Sequence, residues 1–405
     1  MRLTQLLDSL QSRVSLETNF LYLERYVNDT KGDFINFSDV DPRYSPECGV
    51  VGFDAPFVRV KHDMLTIFQD QPSSEVFEAI FEDDTALFVW HPDIPSPFKV
   101  VDGHIMVSPT SSTRTLLTRK LPHNFMAKTD LDKRHFRFIR RLKGSSVEHS
   151  ISINRDIRLA TETGAIPFYA YLPEVIGLVY GDMQTGTGVL YRELQPRPLV
   201  QAPRVLVPYF ALYSSDSFFP QDKPLMFDLI ERNNAYDPVQ FFVEVLIGLI
   251  QDTWAYFVAN RALLPELHGQ NTCLEIDANG VPTRLVHRDF QSLYSDRVRR
   301  DMLSLPQFKK HHVGEEDNIT KEQQYSLIFD HFISNYLFMR MVNTFVALYP
   351  QYAFNDVTQQ IQDRFCGIQG NPLDVFPDKT HCFGKKNMIG NEVVVVSTGK
   401  VPLFR

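Results

Sequence analysis

The pattern of apolar and polar positions divides the chain into a strand-rich part and a helix-rich part. From about residue 223 onward, apolar residues at helical spacing predict two long helices, over 239–263 and 321–349. Before them, from about 60 to 215, short apolar runs punctuated by Gly and Pro predict a largely antiparallel sheet. The predicted strands are 86–90, 104–108, 125–131, 149–153, 176–180, 189–193 and 205–213. Short amphipathic helices are expected before residue 28, and mostly loop over 29–60, so the fold class is α+β.

Residues 264–294 carry the strongest local signal, a predicted hairpin that gathers polar side chains at one end. Asn279-Gly280 between two alternating segments predicts a tight turn, because both turn positions require positive φ. The residues before the first strand should then lie near those after the second. These residues are Glu266, His268, Gln270 and Asn271 on one side, and Arg288 and Asp289 on the other.

This set of side chains suits Mg²⁺ and phosphate. Carboxylate and amide oxygens are ligands for the hard cation, while His, Arg and amide N–H groups donate to phosphoryl oxygens. The alternative is a polar hairpin end on the surface. A protein kinase is disfavoured, because the His287-Arg288-Asp289 sequence lacks the Asn five residues later that holds a metal there, and Tyr294 stands in its place.

A second polar cluster lies in the strand-rich part, over residues 108–141. Ser112, Thr113 and Thr115 surround Arg114 after one predicted strand, and Lys128 is the lone cation on the next. Hydroxyls with Arg and Lys on adjoining strands form an oxyanion cradle of the kind that triphosphate binding needs. Further Arg residues follow at 134, 137, 140 and 141. The alternative is a basic surface patch.

Composition narrows the class of protein. A chain of 405 residues is long enough for two or three domains, and its 43% hydrophobic content is ordinary for a globular protein. The net charge of −8 argues against a nucleic-acid partner. The sequence shows neither a signal peptide nor an uninterrupted membrane span, so we expect no membrane association and a cytoplasmic location.

The two clusters, in this order and at this separation, resemble the motifs of one family. Residues 112–115 resemble its Ser-x-Arg-Thr motif, 266–271 its Glu-Ala-His-x-Gln-Asn motif, and 288–289 its Arg-Asp motif. Shorter similarities occur at 44–47, 91–92 and 191–193. The family is IucA/IucC, the NRPS-independent siderophore (NIS) synthetases.

The resemblance implies a fold likened to a cupped hand. Residues 1–60 would be a remnant of a thumb domain, 61–220 the β-rich fingers that bind ATP phosphates, and 221–405 a mainly helical palm. The implied reaction joins a carboxylic acid, citrate-like or related, through its adenylate to an amine, hydroxylamine or alcohol. ATP and Mg²⁺ would be the cofactors, and the family suggests a homodimer.

The resemblance also implies roles for individual residues, with Arg140, His268 and Arg288 as the catalytic candidates. Phosphate oxygens would be held by Ser112, Arg114 and Thr115, and the charge developing on phosphate would be neutralised by Lys128 and Arg140. Nucleotide phosphate or the carboxylate would contact His268, Gln270 and Asn271. Mg²⁺ would be carried by Glu266 and Asp289, and the site would be steadied by Arg288.

The chain departs from the family's pattern in three places. The N-terminal His-Pro…Lys-x-Arg-x-Gly motif has at most a remnant, at 30–34, so the thumb is predicted to be truncated. Leu267 replaces the family's Ala, and Lys385 is the nearest counterpart of a C-terminal Lys. Two alternatives therefore stay open: a non-catalytic relative that binds a nucleotide or a partner, and a phosphotransferase that releases ADP.

Overall fold

A computed structural model describes residues 1–29, 38–46, 51–70, 75–119, 121, 123–135, 138–233, 237–315, 319–371, 373–385 and 393–405. Its strands are β1 (Phe53–Lys61), β2 (Leu65–Gln69), β3 (Phe81–Glu82), β4 (Thr85–Val89), β5 (Gly103–Pro109), β6 (Thr115–Thr118), β7 (Met126–Thr129), β8 (Arg134–His135), β9 (Phe138–Ile139), β10 (Tyr169–Tyr171), β11 (Glu174–Tyr180), β12 (Thr187–Arg192), β13 (Val205–Pro208), β14 (Leu263–Leu264), β15 (Thr272–Ile276), β16 (Pro282–His287), β17 (Tyr294–Ser295), β18 (His381–Lys385) and β19 (Val393–Ser397). Its helices are Leu3–Asp8, Arg13–Tyr26, Glu75–Ile80, Gly144–Glu162, Tyr209–Tyr213, Leu225–Arg232, Pro238–Arg261, Arg297–Met302, 321–348 and Phe354–Gly367, with 3-10 turns at Ser9–Gln11, Pro42–Tyr44, His62–Met64 and Leu373–Val375.

The strand-rich part forms a nine-stranded sheet in the order β2-β11-β12-β7-β6-β5-β1-β4-β3. All of its neighbouring strands are antiparallel, as the sequence predicted. A core that includes Phe88, Trp90, Phe125 and Tyr191 packs around the strands of this sheet. Because β6 and β7 are central and adjacent, the loop before β6 and the side chain of Lys128 on β7 come close together.

The prediction of a strand over 149–153 was wrong, because these residues lie within the helix Gly144–Glu162. The alternation of Ser and Ile there imitates a strand, but Val147 and Ile151 are spaced to face one side of a helix. Both pack against β11 and β12. Gly177 on β11 makes this close approach feasible, since a Cβ there would lie 2.2 Å from Cγ1 of Val147.

The prediction of mostly loop over 29–60 was wrong at its end, where β1 pairs with both β4 and β5. Asp54 and Pro56 interrupt the apolar pattern and conceal this strand, although Ala55, Val58 and Val60 are buried. The thumb remnant at 30–34 lies outside the described residues. The cupped-hand arrangement and the domain boundaries near 60 and 220 stay predictions.

A four-stranded sheet in the order β10-β16-β15-β13 contains the predicted hairpin. The strands β15 and β16 pair antiparallel, and β10 from the strand-rich part joins β16 in parallel. A further short ladder of β14 with β17 pairs Leu264 with Tyr294, so the first and last residues of the stretch 264–294 are neighbours. The hairpin prediction is therefore confirmed.

The turn of this hairpin differs from the predicted two-residue type. Within the pair, only Gly280 has a positive φ, of 82°. The loop is instead pinned by Asp277, whose Oδ1 accepts hydrogen bonds from the backbone N–H groups of Asn279 and Val281, both at 2.9 Å. An Asp side chain bonded to the backbone two residues on is itself a turn-forming arrangement, and the Asn-Gly signal overlooked it.

Both predicted long helices are confirmed, as Pro238–Arg261 and 321–348, and each contains a π-helical stretch. They pack together through Trp254 and Phe329, whose ring centroids are 5.2 Å apart. Among the described residues, Pro238–Arg261 alone is long and apolar enough to cross a membrane, but 72% of its most apolar window is buried inside the fold. Its apolar length is thus accounted for by core packing.

The N-terminal helix Arg13–Tyr26 lies where the two sheets meet. Phe20 and Leu21 pack with Leu117 and Met126 of the large sheet, and with Cys273 of the hairpin sheet. This small core fixes the loop before β6 against the two ends of the hairpin. The next residues along the helix therefore reach the region between the two polar clusters.

Candidate active site

A pocket opens where the loop before β6 meets the hairpin ends. It joins the two clusters that the sequence predicted separately. Its lining residues are Ser111, Ser112, Thr113, Arg114, Leu131, Arg140, Gln270 and Asp289. A smaller lobe adjoins it and is lined in part by Thr115, Asn271 and Arg288.

The loop before β6, which we call the hydroxyl loop (residues 110–115), is a tight turn held by its own backbone. The N–H of Thr115 donates to the carbonyl of Ser112 at 2.8 Å, and the N–H of Thr110 donates to the carbonyl of Thr115 at 3.0 Å. Thr115 Oγ1 lies 3.4 Å from Ser112 Oγ. The turn thus holds Ser112 and Arg114 against one wall of the pocket.

Arg114 and Arg140 place two guanidinium groups in that wall. Arg114 is fixed by hydrogen bonds from Nη1 to the carbonyls of Arg140 and Arg141, at 3.2 and 3.3 Å, and from Nη2 to Gln291 at 3.1 Å. Burial lowers the pKa of Arg114 to about 10, with a further contribution from the neighbouring charge of Arg140. Burial also lowers the pKa of Arg140. Burial therefore makes both cations costly to hold in their charged form, and a neighbouring anion would stabilise them.

Lys128 on β7 forms an ion pair with Asp289, directly across the junction of the two sheets. Burial lowers the pKa of Lys128 to about 8, although Asp289 opposes the shift. Burial works against the charge of Asp289, but Lys128 and Arg192 outweigh it and hold the pKa of Asp289 well below its usual range. Asp289 adopts a φ of 72°, a left-handed conformation in which Asp is among the tolerated residues.

Glu266 and His268 lie behind Asp289, with Nε2 of His268 3.6 Å from Oε1 of Glu266. Burial, and then the nearby charge of Asp289, raise the pKa of Glu266 to about 8. Burial lowers the pKa of His268 to about 4, so its imidazole is neutral at physiological pH. Nδ1 of His268 accepts from the N–H of Gln270 at 3.2 Å, which assigns the proton to Nε2.

The two hairpin ends meet as predicted. The N–H of Arg288 donates to the carbonyl of Asn271 at 2.9 Å, and Nε of Arg288 donates to the carbonyl of Gln270 at 2.8 Å. The side chain of Gln270 reaches across to Ser111 Oγ at 3.5 Å, and Asn271 is tied back to the carbonyl of Glu266 at 3.3 Å. The structure thus brings together all the sequence-predicted site residues, while their roles stay predictions.

Glu24 is the residue that the sequence reasoning missed most clearly. Its carboxylate is fully buried, and it joins the two clusters. One oxygen accepts from the N–H of Ser111 at 3.0 Å and from its hydroxyl at 2.7 Å, and the other accepts from Arg288 at 2.7 Å. A signal was present, since Glu24-Arg25 interrupts an otherwise apolar and aromatic helix face. Gln291 was missed because nothing in its local sequence marks it.

The residues fit a nucleotide with its cation better than a cation alone. Among the described residues, no group of three or more His, Cys, Asp or Glu side chains is arranged to hold a metal ion. Glu266 and Asp289 supply two carboxylates, and burial, followed by the charge of Asp289, raises the pKa of Glu266. Mg²⁺ commonly takes one or two carboxylates and completes its shell with phosphate oxygens and water. The cations Arg114, Lys128 and Arg140 suit those phosphates.

The fold identifies the structural class to which this chain is similar. The chain has the fold of the NRPS-independent siderophore synthetases, and the resemblance predicted from its motifs is confirmed at that level.

Three solved structures show how similar the fold and the sequence are. The ATP-bound aerobactin synthetase IucA of Klebsiella pneumoniae superposes with a TM-score of 0.65 at 14% identity, over 99% of this chain and 82% of IucA. Aerobactin synthetase IucC of the same organism gives 0.63 at 18% identity, over 80% of this chain and 64% of IucC. The petrobactin biosynthesis protein AsbB of Bacillus anthracis gives 0.64 at 15% identity, over 87% of this chain and 68% of AsbB.

Two further comparisons concern the sequence. A family model described as ferric iron reductase FhuF-like transporter matches residues 243–338, which include the hairpin and parts of both long helices. No curated protein matches the chain.

The buried ion pair of Glu24 with Arg288 predicts a large effect on stability. We expect Glu24→Ala to lower the free energy of unfolding by about 3–5 kcal/mol, because Arg288 would be left buried without its carboxylate. Urea denaturation measures this loss of stability. The control is Glu162→Ala, which removes an exposed carboxylate paired with Arg158 and should cost at most about 1 kcal/mol. Equal losses in the two variants would contradict the structure.

The raised pKa of Glu266 predicts a pH dependence of stability. The folded state holds the Glu266 proton up to about pH 8, whereas the unfolded chain releases it near the ordinary value of 4.5. Between these values the Glu266 contribution to stability should therefore fall as pH rises, by at most about 1.4 kcal/mol per pH unit. Glu266→Gln should remove this slope, measured by urea denaturation from pH 5 to 8.5. Exposed Glu78→Gln should keep it, and identical slopes in all three proteins would refute the shift.

Proposed function

We propose that this chain is an ATP-dependent, siderophore-type synthetase that adenylates a carboxylic acid and condenses it with an amine, hydroxylamine or alcohol. One observation carries the proposal. Three cations of the strand-rich part, the buried Arg114 and Lys128 and the half-buried Arg140, lie beside the carboxylates of Glu266 and Asp289 from the hairpin. The fold shared with the aerobactin synthetases, one of them solved with ATP, supports the same reading.

The proposal begins with the nucleotide phosphates in the larger pocket. Ser112 and Arg114 would donate to phosphate oxygens from the hydroxyl loop, and Arg140 would neutralise charge from the same wall. These donors are held by the backbone and by Gln291 before any ligand arrives. Fixed donors in a buried site stabilise developing charge without reorganising during the reaction.

Glu266 and Asp289 would hold Mg²⁺, which neutralises phosphate charge when it is bound. Lys128 is the present partner of Asp289. Nucleotide binding would thus give Lys128 a phosphate partner, and would leave Asp289 available to a cation. Glu266 must lose its proton to act as a ligand, since the protonated carboxyl is a poor one.

His268 would act as a neutral hydrogen-bond donor. Its Nε2 carries the proton, and its lowered pKa excludes the imidazolium at physiological pH. It would therefore orient a phosphate or carboxylate oxygen and would not serve as a general acid. The substrate carboxylate would attack the α-phosphorus, and pyrophosphate would leave. The acyl-adenylate would then be captured by the nucleophile, with no covalent enzyme intermediate.

The proposal also concerns the acid substrate, the location and the oligomeric state of the protein. The acid would be citrate-like or related, as in the siderophore synthetases, and the FhuF-like match agrees with a role in iron acquisition. We expect a cytoplasmic enzyme that uses small-molecule substrates and forms a homodimer.

Hydroxylamine trapping tests the function. The protein is incubated with ATP, Mg²⁺ and a panel of acids comprising citrate, 2-oxoglutarate, succinate and citryl-amine conjugates, while hydroxamate and pyrophosphate are scored together. We expect one acid to give both products, and Arg114→Ala and His268→Ala to lower the rate by about 100-fold or more. The control Arg155→Ala, an exposed guanidinium on the helix Gly144–Glu162, should retain the rate.

Two outcomes would contradict the proposal. ATP binding without any product across the panel would favour the non-catalytic nucleotide-binding relative. Release of ADP in place of pyrophosphate would favour phosphotransfer.

A further inference from the structure

The turn after β4, residues 91–94, lies behind the pocket and does not line it. The N–H of Ile94 donates to the carbonyl of His91 at 3.3 Å, which closes the turn. The N–H of Asp93 donates to Nδ1 of His91 at 3.2 Å, so the proton of the neutral imidazole lies on Nε2. The turn thus fixes a carboxylate and an imidazole donor relative to each other.

Asp93 supports the part of the pocket wall that carries Arg140. Its Oδ1 pairs with Nζ of Lys133 at 2.8 Å, and only 11% of the Asp93 side chain is exposed. The carbonyl of Lys133 in turn accepts a hydrogen bond from the N–H of Arg140 at 3.0 Å. Oδ2 of Asp93 accepts from the N–H of Asp41 at 2.8 Å, so the carboxylate is held from two sides. One residue therefore connects this carboxylate to the backbone of Arg140.

His91 lies behind the hydroxyl loop. Its side chain is fully buried, and the rings of Tyr44 and Phe53 pack edge-on against it with centroids at 5.3 and 6.2 Å. Phe53 is the first residue of β1, which pairs with β5, the strand that leads into the loop. Burial lowers the pKa of His91 to about 4, while the charge of Asp93 and the backbone of Thr113 oppose this shift. The imidazole therefore lies beside the backbone of the loop.

The Nε2–H group of His91 is buried without a hydrogen-bond partner. A buried donor without an acceptor costs free energy. The carbonyl of Thr113, between Ser112 and Arg114, would accept this hydrogen bond after a small movement of the hydroxyl loop. Hydrogen bonds of this kind are often long in a ligand-free site and tighten when the ligand binds. The donor is thus available to a loop that has closed on phosphate.

We propose that this turn is a positioning element, which holds the two arginines of the pocket at the spacing that the nucleotide phosphates need. Asp93 acts through Lys133 on Arg140, and His91 acts through the backbone of the hydroxyl loop on Arg114. This inference rests on the proposed function, in which both arginines bind phosphate. Neither positioning residue touches the ligand. Each acts on the place of a guanidinium group, and small displacements of such groups are costly.

Titration calorimetry on the full chain, with ATP and Mg²⁺, tests the proposal. We expect Asp93→Asn and His91→Phe each to weaken ATP binding about tenfold, because Asn loses the ion pair and Phe keeps the ring but removes the donor. His91→Gln, whose amide N–H can replace Nε2–H, should bind ATP within about threefold of the unsubstituted protein. The control Glu148→Gln loses an ion pair with Lys309 and should stay within about twofold.

Double-mutant cycles separate positioning from a general loss of stability. In an Arg140→Ala background, Asp93→Asn should lose most of its effect on ATP affinity, whereas His91→Phe should keep it. In an Arg114→Ala background the pattern should be reversed. A general destabilisation would instead give additive losses in both backgrounds, and urea denaturation of the same variants measures that destabilisation.

Three results would overturn the proposal: unchanged ATP affinity in the single variants, additive losses in both arginine backgrounds, or the same loss for His91→Gln as for His91→Phe. An unsubstituted protein that binds no ATP would overturn the proposed function together with this inference. The titration needs no turnover. ATP binding with the expected couplings, but without hydroxamate formation, would therefore refute the proposed adenylation alone.

Discussion

One buried carboxylate holds the two halves of the site together. Glu24 accepts hydrogen bonds from the hydroxyl loop and pairs with Arg288 at the end of the hairpin, and neither charged side chain is more than 4% exposed. Removing either partner would leave the other charge buried without a counter-ion, which strongly lowers the stability of the fold. The separation between the predicted phosphate donors and the predicted cation ligands is therefore set by a helix that precedes both in the chain.

The same junction explains the electrostatics of the pocket. Burial lowers the pKa values of Arg114, Lys128 and Arg140, while burial and the nearby charge of Asp289 raise the pKa of Glu266. Holding the three cations charged, or Glu266 ionised, costs free energy, and this cost falls when a phosphate and a cation bind together. The fold supplies the stability that tolerates this arrangement, through the core around Trp254 and the antiparallel sheet. The site is thus organised for a ligand that carries both kinds of charge.

Sequence reasoning succeeded where the information was local. The hairpin of 264–294 could be predicted because Asn279-Gly280 lies between alternating segments, and closing the ladder brings Asn271 to Arg288 without any tertiary assumption. The motif at 112–115 could be placed in a loop after a strand for the same reason. The meeting of these two loops was implied only by the family resemblance. The sequence does not show that β10, which directly precedes β11 of the large sheet, pairs with β16 of the hairpin.

The failures have physical causes of two kinds. Some local patterns are compatible with both a strand and a helix, as is the alternation over 149–153. The packing of Val147 against the sheet then favours the helix. Contacts between residues far apart in the chain produce no pattern in the local sequence. Gln291 orients Arg114 from 177 residues away, and Glu24 reaches Arg288 from 264 residues away.

The most direct test of the central claim follows the oxygen atoms of the acid. The acid that the protein accepts is prepared with ¹⁸O in its carboxylate and incubated with ATP, Mg²⁺ and a nucleophile, and the nucleotide products are analysed by mass spectrometry. Attack of the carboxylate on the α-phosphorus predicts AMP that carries one ¹⁸O. Label in inorganic phosphate, with ADP as the nucleotide product, would show attack at the γ-phosphorus and would contradict the account.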